Sequence, residues 1–220
     1  MQTIIEKSLN GLKLGEPIHF GRMSVYPIFT SSEAQLQYVM LRKAFQHGWI
    51  RVTEITEGGS VPELKLYNES ETPVLLLDGE ELEGAKQNRV LNTTLLVLGK
   101  SRLVVPVSCT EQGRWSRVSP EFRDSERVMF KKAREAKMES VHQSLKRGAG
   151  HHSDQGQVWD EIGDVQMKFA CNSPTSAMKD VYDTQQRNIE EYLAAFPLNE
   201  GQCGFISGLD GRVAGLEFIS

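Results

Sequence analysis

IRVTEITEGGSVPELKLYNESETPVLLLDGEELEGAKQNRVLNTTLLVLGKSRLVVPV, residues 50–107, is the stretch whose pattern decides the fold class. It holds β-like runs at Ile50–Ile55, Glu63–Tyr67, Pro73–Leu77, Arg89–Leu98 and Arg102–Val107, rich in apolar and β-branched residues. Gly58-Gly59-Ser60, Asn68–Thr72 and Gly99-Lys100-Ser101 supply the turn chemistry between them. Connections this short return a strand beside its predecessor, and the βαβ rhythm is absent, so a mainly antiparallel sheet or sandwich is predicted.

Towards the N-terminus, Ile18–Phe29 reads as two extended segments about Gly21, a hairpin or bent strand ending at Thr30-Ser31-Ser32. Ser32 and Gln35 form a capping-box pattern, and Leu36, Val39, Met40 and Ala44 recur at helical spacing until His47-Gly48, which predicts a first helix. Beyond residue 120, helix-like segments cover 124–147, 156–170 and 174–196. The last carries the stripe Met178, Val181, Tyr182, Ile189, Leu193 and Phe196 behind Ser173-Pro174. Arg147–Gln157 is a Gly/His/Ser-rich connection expected to be mobile, and Gly201 onward reads as a closing hairpin about Asp210-Gly211. The expected architecture is α+β, one domain over residues 1–220: a mainly antiparallel sheet or sandwich with about four packed helices, three of them in the C-terminal half.

The composition, 39% hydrophobic and 25% charged over 220 residues, is that of a globular protein able to bury a core without disulfides or a structural metal. A formal charge of -4 argues against a broad nucleic-acid footprint while leaving room for a local anion site. No apolar run approaches the roughly 18–20 residues of a membrane span, and Met1–Glu6 lacks a basic region before an apolar one. Neither a nucleic-acid nor a membrane partner is expected, and the cytoplasm is the expected location. Cys109, Cys171 and Cys203 form no CxxC pair and read as reduced thiols.

Polar side chains concentrate in two segments that each follow an apolar strand: Asp78–Arg89 and Ser108–Ser116. If the first is extended, Glu81 and Glu83 share one face and Asp78 and Glu80 the other. Two carboxylates on one face can hold a divalent cation or divide acid and base roles; a solvated loop is the plainer reading. Lys86 and Arg89 add charge, and Gln87 and Asn88 add amides suited to reading a sugar or base edge. In the second segment Arg114 can grip a carboxylate or phosphate, and Trp115 can stack on a base or close the core. Cys109 would need a lowered pKa to act as a nucleophile, against the commoner role of a packed thiol. His151-His152 has no further ligands at a metal-binding spacing, and no Walker loop, GxSxG, HExxH or GxGxxG is present.

In LLLDGEELEGAKQNRVLNTT (75–94) and VPVSCTEQGRWS (105–116) the chain resembles the ARG and rhodanese-phosphatase-superfamily-associated protein domain family, over about residues Gly11 to Phe218. That family is associated with ADP-ribosylglycohydrolases and with NAD and ADP-ribose metabolism. The resemblance also implies a further helix after GRVAGLEF (211–218), whose loss would expose an apolar patch. It implies Glu80, Glu83 and Glu111 as acid-base or metal-binding groups, and Lys86, Gln87, Asn88, Arg89, Gln112, Arg114 and Trp115 as ligand contacts. Such a set suits a phosphorylated small molecule of the ADP-ribose type: cations for phosphate, carboxylates for hydroxyls or a divalent metal, indole for the base. Three readings follow: a site that binds and processes this ligand, a sensor that binds it without turnover, or a homo-oligomer whose charged loop is a self-complementary rim.

Overall fold

The computed structural model describes residues 6, 9–31 and 37–218, and the chain forms two compact units, Met1–Leu36 with Gln185–Ser220, and Gln37–Thr184. The architecture is α+β with mostly antiparallel sheets. In the smaller unit, β1 (Leu12–Leu14) and β2 (Ile18–Phe20) both pair antiparallel with β3 (Met23–Thr30). The expected N-terminal hairpin is therefore present, and it turns at Gly21 with φ +56°.

The larger unit begins with β4 (Val39–Met40) and α1 (Leu41–Gln46). The predicted first helix is corrected here. Val39 and Met40 pair in parallel with the strand at Val74–Leu75, so their apolar side chains serve a sheet, and the helix begins only at Leu41. Ser32–Leu36, the capping-box end of that expectation, lie outside the described residues. Next come β5 (Ile50–Glu54), β6 (Glu63–Asn68), β7 (Val74–Leu76), β8 (Glu80–Gly84), β9 (Arg89–Leu91), β10 (Leu95–Val97), β11 (Ser101–Cys109) and β12 (Phe122–Val128). Six of these close a barrel in the order β11-β6-β5-β12-β8-β9, and β10-β7-β4 form a separate three-stranded sheet. The run expected over Arg89–Leu98 is thus divided between the two. It breaks at Asn92, which leaves the ladder to hydrogen-bond Ser108 and the carbonyl of His151.

Two barrel strands lie where other structure is expected. β8 occupies the charged stretch taken as a loop, and β12 occupies the start of the predicted helix at 124–147. At Glu126 the backbone adopts φ +61°, its N–H bonds to Asp124 Oδ1 at 2.8 Å, and a register shift between Asp124 and Val128 bends the strand. Helix then runs only over α2 (Lys131–Lys146), followed by α3 (Gln155–Lys168) and α4 (Met178–Thr184). The connection expected to be mobile is anchored: His151 O, Ser153 and Gln155 all bond β9–β11 residues or the residue after β9, and Asp154 N bonds Ser140 Oγ at 3.0 Å.

Directly opposed residues of neighbouring strands share a face. The registers Leu66↔Val52, Val105↔Leu64, Val107↔Leu91 and Phe122↔Val52 put the largest apolar cluster inside the barrel and under α1. A second cluster, Val90, Met129, Ala133, Val158, Ile162 and Met178, lies between the outer barrel face and α2–α4. The predicted helix over 174–196 is two helices. Gln185 (φ -104°, ψ 9°) breaks it, and α5 (Gln186–Ala195) belongs to the smaller unit. There β13 (Gln202–Leu209) and β14 (Arg212–Phe218) form the expected closing hairpin, and β13 joins β3 in the sheet. Among the described residues no helix is long and apolar enough to cross a membrane.

The turn that follows β8 depends on Gly84. Its φ is +127°, and a Cβ there would meet Ser119 Oγ at 2.6 Å and Glu121 O at 2.9 Å. Gly84→Ala is expected to cost about 1–3 kcal/mol of unfolding free energy in urea denaturation. An unchanged midpoint would show that this backbone relaxes freely.

Candidate functional site

At one end of the barrel the apolar interior gives way to charge. Arg89 on β9 is opposed by Leu82 on β8 and by Cys109 on β11, which places it in the inward phase together with the core. It is 0% exposed. Its Nη1 donates to Gln87 Oε1 at 3.0 Å and to the Asn88 carbonyl at 3.3 Å. Nε and Nη2, the edge suited to bidentate contact, have no hydrogen-bond partner among the described residues. Burial works against the Arg89 charge, while Glu54 and Glu111 favour it and Arg114 opposes it.

Glu54, the last residue of β5, is buried at the same barrel end, and the sequence reading did not single it out. Its Oε1 accepts from Lys86 N at 3.4 Å, and its Oε2 has no partner among the described residues. Three groups converge on the turn over this end: a Cβ at Gly59 would lie 3.0 Å from Lys86 Cδ, 3.3 Å from Trp115 Cζ2 and 3.4 Å from Glu54 Oε2. Lys86 Nζ donates to Gly58 O at 2.6 Å and sits 5.3 Å from the Trp115 ring centroid, with the Arg89 guanidinium carbon 5.8 Å from it. The indole is half-exposed, so it roofs the cations and still offers surface to a ligand.

The two polar segments of the sequence meet here, joined by Arg114. Its Nη1 donates to Ala85 O and Ser116 O, and its Nη2 to Gly84 O, Asn88 Oδ1 and, at 2.6 Å, Glu111 Oε2. Glu111 also accepts from Asn88 N and Thr175 Oγ1, and Gln87 Nε2 donates to Glu111 O. Burial alone would raise the Glu111 pKa, but these hydrogen bonds and the Arg114 charge outweigh it and hold the carboxyl below its ordinary value. Arg114, Glu111 and Asn88 therefore build the site through bonds to one another and to the surrounding backbone.

The remaining residues singled out by sequence lie elsewhere. Gln112 is exposed on the turn before Arg114. Glu83 faces the surface, 3.3 Å from Arg123 and 3.9 Å from Lys179. Glu80 accepts from Leu77 N at 2.7 Å, and burial, reinforced by Asp124, pushes its pKa up to about 7. Cys109 is buried, which raises its thiol pKa and leaves it neutral near pH 7. Among the described residues no group of three or more His, Cys, Asp or Glu side chains is placed to hold a metal ion.

Two further buried ionisable groups lie beneath the helices. Lys137 of α2 pairs with Asp78. Glu81, 0% exposed, accepts from Thr110 Oγ1 at 2.7 Å, and burial lifts its pKa to about 7 against that hydrogen bond.

Residues 11–220 match the family model of the ARG and Rhodanese-Phosphatase-superfamily-associated Protein domain, and the chain belongs to that family. No curated protein and no solved structure matches it.

Glu81 makes the stability of this fold depend on pH. In the unfolded chain its proton leaves near 4.5, whereas the folded protein keeps it to about 7. Within that window each rise in pH therefore favours unfolding. Relative to Glu81→Gln, the wild type should lose on the order of 3 kcal/mol between those pH values, measured by urea denaturation across a pH series. Parallel profiles for the two proteins would show that Glu81 titrates normally.

Proposed function

We propose that this member of the family binds a phosphorylated sugar or nucleotide of the ADP-ribose type at the Lys86–Arg89–Trp115 end of the barrel. One observation carries the reading: the Nε/Nη2 edge of a fully buried arginine has no partner among the described residues. A guanidinium taken out of water is costly unless its N–H groups are matched, and two parallel N–H bonds fit two oxygens of a phosphate. Lys86 adds a second cation, and Trp115 supplies a half-exposed aromatic face on which a base can stack.

Binding without turnover is the better supported form of the proposal. Glu80 and Glu83 lie away from Arg89, and Glu111 is held ionised by Arg114, Thr175 and Asn88. None of these three glutamates is thereby free to act as an acid or base on a ligand seated on Arg89.

Thermal melting of the wild type and Arg89→Lys with ADP-ribose, ribose 5-phosphate and mononucleotides tests this. At a hundred times its dissociation constant a true ligand adds about 2.7 kcal/mol of apparent stability. Lysine keeps the charge but cannot present the paired N–H edge, so affinity should fall about tenfold or more. If no phosphorylated compound moves the wild-type transition, the proposal fails.

A further inference from the structure

We infer that Glu54 reads a hydroxyl group beside the ligand's phosphate, so that the site selects phosphorylated sugars over simple phosphate anions. This rests on the anion reading of Arg89. Glu54 follows Ile50 and Val52 in the inward phase of β5, a phase that strand otherwise fills with apolar side chains. It is buried, and its Oε2 lacks a partner among the described residues, as do Nε and Nη2 of Arg89. The two opposite charges feel one another, yet they do not satisfy one another by a hydrogen bond.

A group that satisfies both must present acceptors to the guanidinium and a donor to the carboxylate. Phosphate alone meets the first need, but it can offer Glu54 only a P–OH of the same anion and so brings its like charge against the carboxylate. A phosphate carried on a hydroxylated skeleton meets both, because its O–H can donate to Oε2. The Gly59 turn lies over this buried oxygen and places no side chain of its own on it: a Cβ at that position would lie 3.4 Å away.

Isothermal titration of the wild type and Glu54→Gln with inorganic phosphate and with ribose 5-phosphate separates the possibilities. The wild type should bind ribose 5-phosphate at least about tenfold more tightly than phosphate. In Glu54→Gln, ribose 5-phosphate should weaken while phosphate holds or tightens, because the repelling charge is gone. Equal wild-type affinities, or both ligands moving the same way in the variant, would overturn the role of Glu54 and leave Arg89 as an anion site. If the wild type binds neither compound, the Arg89 reading itself falls and this inference falls with it. The comparison within the wild type stands even if the variant folds poorly.

Discussion

The guanidinium of Arg114 is the constraint on which the candidate site depends. Five acceptors from two stretches of chain converge on it: the carbonyls of Gly84, Ala85 and Ser116, the Asn88 side chain and the Glu111 carboxylate. Without that convergence the β8–β9 turn and the chain after β11 would be two independent loops. A nearly buried ion pair of this kind contributes little net stability, because desolvation offsets most of the attraction. What it fixes is geometry: Gln87 is held against Glu111 O, and Gln87 in turn holds one side of Arg89. The Trp115 indole follows directly after the clamp and inherits its position.

A charge inside a small barrel has to be justified by its partners. Beneath Arg89 the interior is apolar, filled by Leu82, Leu91, Val105 and Val107. The guanidinium sits where this packing ends, so half of its hydrogen-bonding capacity can be met by the turn that delivers it. Cys109 adds no negative charge in its neutral form, since burial raises the thiol pKa. Glu54 and Glu111 supply the compensating field, one without full hydrogen-bond satisfaction and the other fully engaged. That asymmetry leaves the unmet hydrogen-bonding capacity on the Glu54 side.

The parts of this arrangement legible in the sequence are those written as hydrophobic alternation or as turn residues. β5, β6 and β11 and the closing hairpin are visible because their apolar phase is regular. β8 is hidden because Glu80-Glu81-Leu82-Glu83-Gly84 has a single apolar side chain, and two of its charges find tertiary partners that no local pattern records, Thr110 and Arg123. β12 is hidden because only Phe122 and Val128 at its two ends are apolar, and the left-handed backbone that bends it falls on Glu126, which carries no turn signal. The stripe from Met178 to Phe196 likewise runs through the break at Gln185. Residues 86–89 and 111–115 could be recognised as polar clusters, but their meeting needs the barrel to close. Glu54 did leave a signal, a carboxylate in the inward phase of an otherwise apolar strand, and its meaning emerges only once Arg89 is found at the same end.

Position along the chain also decides what the acids can do. Strand geometry puts Glu80 on the face opposite Glu81 and Glu83, and the last two differ in depth, Glu81 being fully buried and Glu83 paired with surface cations. Glu80 lies on the Leu82 side near Asp124, Glu81 lies under the helices, and Glu83 faces the surface cations Arg123 and Lys179. A catalytic pair needs convergence, which consecutive strand residues do not supply. A tight turn does supply it: Lys86, Gln87, Asn88 and Arg89 fold back on themselves and all reach the barrel end or the clamp that shapes it. Polar side chains therefore converge in the turn, and the carboxylates that look most reactive in the sequence serve the barrel wall.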